Sequence, residues 1–286
     1  MKVGLIGVGA MGVEMSRHIV KAGFEVLAYD LDQAAIVKAV GNGAVAANDL
    51  AQIATDCDMA IIMVATDPQT RAVVDGLLAA GIAEGFVVVV GATSHPKTMI
   101  ELATVCATRG VDFVDAPVCY GLQGAIKGDL IVLCGGEIAS IDRVRSVLRS
   151  YSRSIEHLGP VGTGQLGKAC NNMMHWAACV ANYETLALAK ACGIDAQTMR
   201  ETLLKCPARN TTLERWDTTR FTWHEKDMDV ALDVAQLAGL GLPLFGAVDQ
   251  LVKRLGPDDV RALLHENEAS YLGLPINVRP LSDVVM

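Results

Sequence analysis

The stretch Val3-Gly4-Leu5-Ile6-Gly7-Val8-Gly9-Ala10-Met11-Gly12 runs from an apolar segment into three glycines spaced Gly-x-Gly-x-x-Gly. A short apolar run of this kind reads as a buried parallel strand. Gly7 then permits the tight turn, Gly9 lets the backbone approach a pyrophosphate, and Gly12 lets the next helix pack closely on the sheet. An apolar-periodic segment, 11–21, follows and supplies that helix. Its N-terminus offers amide donors and a dipole that favours phosphate, which makes Gly7, Gly9, Ala10, Met11 and Gly12 candidate cofactor contacts. Glycines also make ordinary turns, so the motif gains its meaning from the strand before it and the helix after it.

Outward from this motif the alternation continues. Residues 25–29 form a second strand candidate and 33–40 a helix. Residues 60–64, 86–90, 113–115 and 130–134 read as further buried strands. This order predicts an α/β architecture, a Rossmann-like doubly wound parallel sheet, over residues 1–162. The pattern then changes. From 163 to 197 small and apolar residues recur at helical spacing through Met173, Met174, Ala177, Val180, Ala181 and Leu186, and Gly193 is placed to end one long helix. Helices are expected at 196–205, 227–238, 243–255 and 260–272, so residues 163–286 read as an all-helical domain.

Asp30 ends the second strand. A carboxylate there accepts hydrogen bonds from the adenosine ribose of NAD and repels the extra phosphate of NADP. The following residues, Leu31-Asp32, bring no compensating cation, so NAD is expected over NADP. Asp32 remains the alternative ribose contact.

Composition excludes other classes. With 51% hydrophobic residues the chain is not disordered, and a net charge of −8 argues against nonspecific nucleic-acid binding. Met1 and Lys2 lead straight into the first strand, without a secretory apolar region. The eight cysteines contain no Cys-x-x-Cys pair, so reduced thiols in a cytoplasmic protein are expected, with no metal and no membrane segment.

The second constellation is Gly162-Thr163-Gly164-Gln165-Leu166-Gly167-Lys168-Ala169-Cys170-Asn171-Asn172. Lys168 and Asn172 are four apart and share a helix face. A poorly solvated lysine can exchange a proton with a substrate hydroxyl, and Asn172 can orient it without adding charge.

These motifs, with Asp115-Ala116-Pro117-Val118, the downstream Gly121, Gly124 and Gly128, and Lys226-Asp227, follow one another in the order seen in a known family. The chain resembles the β-hydroxyacid dehydrogenases, the family of 3-hydroxyisobutyrate and 6-phosphogluconate dehydrogenases. The resemblance implies a Rossmann-like domain and a helical domain with the active site in the cleft between them. It implies hydride transfer to C4 of a nicotinamide, with Lys168 as general acid/base and Asn172 as the substrate-orienting residue. It places Lys226 and Thr93 beside the cofactor, and it favours a homodimer or homotetramer. The substrate loop departs from the family's usual Ser-Gly-Gly, because this chain carries Cys119-Tyr120-Gly121. Cys119, Tyr120 and Gly121 are therefore the expected specificity residues. The expected reaction is oxidation of a small hydroxyacid or reduction of its aldehyde or ketone. The alternatives are reduction of a noncarboxylate carbonyl or an imine, and a dinucleotide-binding scaffold or sensor without turnover.

Overall fold

The computed structural model describes residues 1–285. The chain divides into two compact units, Met1–Lys168 and Ala169–Met286. In the first unit the strands are β1 (Lys2–Ile6), β2 (Glu25–Tyr29), β3 (Val45–Ala46), β4 (Met59–Ile62) and β5 (Val87–Val90), followed by β6 (Asp112–Asp115), β7 (Val118–Cys119), β8 (Leu130–Gly135) and β9 (Ser152–Gly159). The helices between them are α1 (Ala10–Lys21), α2 (Gln33–Gly41), α3 (Leu50–Asp56) and α4 (Asp67–Ala79), then α5 (Pro96–Ala107), α6 (Gly121–Lys127) and α7 (Ile138–Ser150).

The sheet order is β3-β2-β1-β4-β5-β6-β8-β7, with β9 paired to β8. The first six strands run parallel, which is the doubly wound order of a dinucleotide-binding fold. β4 and β5 are buried on both faces, as expected for central parallel strands. Beyond β6 the sheet turns mixed, because β8 runs antiparallel to β6 and β7. One apolar core lies on each face of the sheet. One holds Val3, Leu5, Met15, Ile19 and Tyr151, and the other Ile6, Ile53, Leu77, Met99 and Phe113.

β9 was not legible in the sequence. Its residues carry no apolar alternation, since it pairs only with β8, and Ile155 is its member packed against the core. Its backbone pairing, rather than its side chains, makes it a strand.

α8 (Thr163–Ala191) is the long helix expected from the small-residue pattern. Gly193 sits at φ 82 just past its end. Gly193 N donates to Lys190 O and Ile194 N to Ala189 O, the paired bonds of a Schellman stop.

The second unit continues from α8 through α9 (Ala196–Leu203), α10 (Thr211–Glu214), α11 (His224–Leu237), α12 (Pro243–Val252) and α13 (Pro257–His265). These helices enclose a core around Trp176, Tyr183, Leu186, Trp216 and Leu263. The helix expected over 260–272 ends early. Residues after His265 form a short hairpin, β10 (Ser270–Tyr271) and β11 (Leu274–Pro275), before α14 (Leu281–Val285). Leu272 and Gly273 both have positive φ, which turns the chain back on itself. Tyr183 Oη donates to Ser270 O and Tyr271 Oη to Glu184, so tertiary bonds fix the hairpin where periodicity alone suggested more helix. No helix of the described residues is long and apolar enough to cross a membrane.

Candidate functional site

The glycine turn follows β1 at the point where strand order reverses, the usual ligand crevice of a doubly wound sheet. Each glycine has a separate reason to be there. Gly7 has φ 88, and a Cβ on it would stand 2.7 Å from Met63 O. A Cβ on Gly12 would fall 2.2 Å from Gly7 O, so α1 can only start this close without a side chain there. A Cβ on Gly9 would meet nothing within 4 Å. Packing therefore requires Gly7 and Gly12, whereas Gly9 borders open space, as a phosphate cradle demands. Gly9 gives α1 no side-chain cap, and Ala10 beside it is exposed and Met11 half-buried. The first amides of α1 are thus left to a ligand. A dinucleotide's pyrophosphate fits these observations.

Asp30 directly follows β2. Val8 N donates to its Oδ2 at 2.7 Å and Asp32 N to its Oδ1 at 2.9 Å. Those bonds hold the carboxylate against the glycine turn. Asp32 is committed elsewhere: its Oδ1 accepts from Ala34 N and caps α2.

Thr93 lies in the loop after β5, and Asp115 ends β6. Both stand on the same carboxyl-terminal edge as the glycine turn. At roughly 4.8 Å per strand, β2 and β6 are about 19 Å apart across the sheet. Asp30 and the groups near β6 therefore cannot touch one small molecule, but they can hold opposite ends of a long one.

Asp115 was quoted in the sequence motif without a role. Its carboxylate is fully buried and starts α8: Gly162 N donates to Oδ1 at 2.7 Å and Gln165 N to Oδ2 at 2.8 Å. Burial pushes its carboxyl up to about 6, opposed by those backbone donors. A carboxylate at a helix N-terminus is also favoured by the dipole. Gln165, likewise unassigned from sequence, is buried and spans from α8 to the Thr93 loop. Ser94 N donates to its Oε1 at 3.0 Å, and its Nε2 donates to Ala92 O at 2.8 Å. In Pro160-Val161-Gly162-Thr163 the local candidate cap, Thr163, turns its Oγ1 to Pro160 O, and Asp115 supplies the cap from afar.

Lys168 follows within the second turn of α8, half-buried. Among the described residues its amine makes no hydrogen bond and no ion pair. It lies near Cys119: burial pushes the Cys119 thiol up, and the Lys168 ammonium pulls it back down. Cys119 of the substrate loop thus lies within electrostatic range of Lys168. Asn172, one turn further along α8, is buried, and its Oδ1 accepts from Asn171 Nδ2 at 3.0 Å.

Tyr120 and Gly121 both adopt the left-handed region, with φ 85 and 55. For tyrosine this costs on the order of 1 kcal/mol. Its ring carries the Arg153 guanidinium 4.3 Å from the centroid, and the partly buried residue packs against the sheet core. That backbone region favours glycine, and the loop holds it with a tyrosine. Because of that shape, Tyr120→Gly should be more stable than Tyr120→Ala by about 1 kcal/mol, the reverse of the ordinary order. Chemical denaturation of the two variants checks this, and alanine proving equal or better would contradict it.

In the second unit Lys226 is the third residue of α11 and half-buried. Its neighbour Asp227 is buried and accepts from the Trp176 indole at 3.1 Å, and His224 packs edge-on against the same indole. Among the described residues no group of three His, Cys, Asp or Glu is placed to hold a metal.

The family comparison agrees with this geometry. Residues 2–177 match the model described as the NAD binding domain of 6-phosphogluconate dehydrogenase. Residues 162–267 match the NAD-binding model of NADP-dependent 3-hydroxyisobutyrate dehydrogenase. The chain is 28% identical to 2-(hydroxymethyl)glutarate dehydrogenase of Eubacterium barkeri, covering 92% of this chain and 94% of that protein. It is 32% identical to the NAD-dependent L-serine dehydrogenase of Pseudomonas aeruginosa, covering 74% of this chain and 72% of that one. In fold it is similar to the Mycobacterium tuberculosis 3-hydroxyisobutyrate dehydrogenase solved with L-serine, at a TM-score of 0.82, 24% identity, and coverage of 92% and 98%. Two family models that overlap on α8 and together run from residue 2 to residue 267 leave one conclusion: the chain belongs to the β-hydroxyacid dehydrogenase family and is an NAD-binding oxidoreductase.

Proposed function

We propose that the chain oxidises the hydroxyl of a small hydroxyacid, or reduces the matching aldehyde or ketone, with Lys168 as general acid/base. The observation that carries this is the Lys168 amine, half-buried in the second turn of α8, within electrostatic range of the Cys119 thiol and without a hydrogen-bond or ion-pair partner among the described residues. A structural lysine would be expected to hold a carboxylate or a helix carbonyl. NAD, when bound, supplies the hydride acceptor. Lys168 takes the hydroxyl proton during oxidation and returns it during reduction, and its ammonium stabilises negative charge on the oxygen. Asn172 orients the hydroxyl, Thr93 and Lys226 border the cofactor, and Cys119, Tyr120 and Gly121 set the substrate's shape. The names of the relatives point the same way, since each acts on a hydroxyacid or hydroxy amino acid.

The division at 162/163, with the helical part serving substrate and assembly, belongs to the same proposal, as does a homodimer or homotetramer. The exposed Met174 and Leu188 on α8 support a partner surface. Eight unpaired cysteines, five of them buried, support a reducing, cytoplasmic setting.

NAD rather than NADP follows from Asp30, although one matched family model is described as NADP-dependent. The carboxylate is fixed by two backbone donors at the end of β2, with Leu31 exposed beside it. Steady-state efficiency with the two cofactors should favour NAD by about tenfold or more, and Asp30→Ser should narrow that gap. Equal or better efficiency of the unsubstituted protein with NADP would overturn the assignment of Asp30.

A further inference from the structure

Gln165 joins two pieces of the site. Its side chain is buried, and both ends of its carboxamide are used: Oε1 accepts from Ser94 N and Nε2 donates to Ala92 O. Those two backbone groups flank Thr93. Its own backbone N donates to the buried Asp115 carboxylate, which also takes Gly162 N. Lys168 stands three residues further along, one turn away on the neighbouring face of α8. The room for this junction is made by small residues. A Cβ on Gly164 would fall 2.8 Å from Asp115 Oδ2, and one on Gly135 would fall 2.4 Å from Asp115 Oδ1.

We propose that Gln165 is a positioning residue that sets Lys168 against the Thr93 segment, so that one carboxamide fixes the acid/base relative to the cofactor side of the site. Asp115 anchors where α8 begins, and Gln165 fixes its rotation toward the β5 loop. The junction demands one donor and one acceptor at the end of a two-methylene stem. Asparagine is too short to span it, methionine offers neither bond, and an ionised glutamate offers no donor to Ala92 O. A protonated glutamic acid reproduces both bonds: its hydroxyl donates to Ala92 O and its carbonyl accepts from Ser94 N. A misplacement of about 1 Å is enough to cost roughly 100-fold in a positioned reaction.

This inference rests on the acid–base reading of Lys168, and its test keeps the two apart. Single-turnover hydride transfer is measured per NADH-binding site across the pH range for the unsubstituted protein, Gln165→Glu, Gln165→Met and Lys168→Met. The rate of Gln165→Glu relative to the unsubstituted protein should rise about tenfold or more as pH falls and its carboxyl takes up a proton. Gln165→Met should be slow by about tenfold or more at every pH with NADH saturating. A purely structural role would change the number of binding sites and leave the per-site ratio flat with pH. A flat ratio for Gln165→Glu overturns the proposal, and so does a normal per-site rate for Gln165→Met, which decides the matter should Gln165→Glu not fold. A near-normal rate for Lys168→Met overturns the acid–base reading instead.

Discussion

Gly9→Ala and Gly12→Ala should fail in opposite ways. A methyl at Gly12 would sit 2.2 Å from Gly7 O, a backbone atom. Gly7 cannot retreat, because it is held at φ 88 with Met63 O and Val64 N close behind it. The helix must move, and overpacking of this kind costs about 1–3 kcal/mol. The melting temperature should fall by several degrees, roughly 2–4 °C per kcal/mol for a chain of this size. The displaced amides of α1 should also lose NADH. Gly9 differs, because its Cβ would enter space with no atom within 4 Å. Gly9→Ala should therefore fold normally and still lose NADH affinity, by about tenfold or more, since the methyl occupies the approach of the pyrophosphate. Thermal unfolding paired with NADH titration reads both effects. An unchanged melting temperature for Gly12→Ala, or unchanged NADH affinity for Gly9→Ala, would break the assignment of that glycine.

Lys168→Met should lower the hydride-transfer rate by about 100-fold or more, equivalent to roughly 3 kcal/mol of transition-state stabilisation. Methionine keeps most of the stem and its packing on α8. Because the amine holds no partner among the described residues, its removal strands no carboxylate, and stability should change by less than about 1 kcal/mol. NADH affinity should hold as well, since the glycine turn and Asp30 stand at the far side of the sheet edge. Loss of rate with binding and folding intact is the signature of a proton-transfer group. A folded variant with normal NADH affinity and a near-normal rate would remove Lys168 from the chemistry. Asn172 could not replace it, since an amide does not titrate.

The glycine turn was legible because its physics is local: strand, turn, helix start and an acidic residue at the next strand end lie within the first 30 residues. The long helix was legible from its period and its glycine stop. What sequence hid was the part that depends on distant neighbours. Asp115 accepts from Gly162 N, 47 residues later at the start of α8, and Gln165 bonds to backbone 71 and 73 residues earlier. No spacing rule exposes such pairs. Tyr120 read as a pocket residue because it replaces a small one. The structure adds that its backbone is left-handed and that Arg153 covers its ring, both consequences of the β7–α6 turn and of β9, an edge strand without an apolar pattern. The hairpin at 270–275 likewise depends on Tyr183 and Glu184 of α8 rather than on its own periodicity.

The most direct measurement is turnover with NAD across small hydroxyacids of differing side chain, run beside NADH-driven reduction of cyclic imines and of carbonyls lacking a carboxylate. The account predicts NADH formation with at least one hydroxyacid, at higher efficiency than any reduction in the second set. Reduction of an imine or a noncarboxylate carbonyl with no oxidation of any hydroxyacid would contradict it, as would NADH binding without turnover in either set.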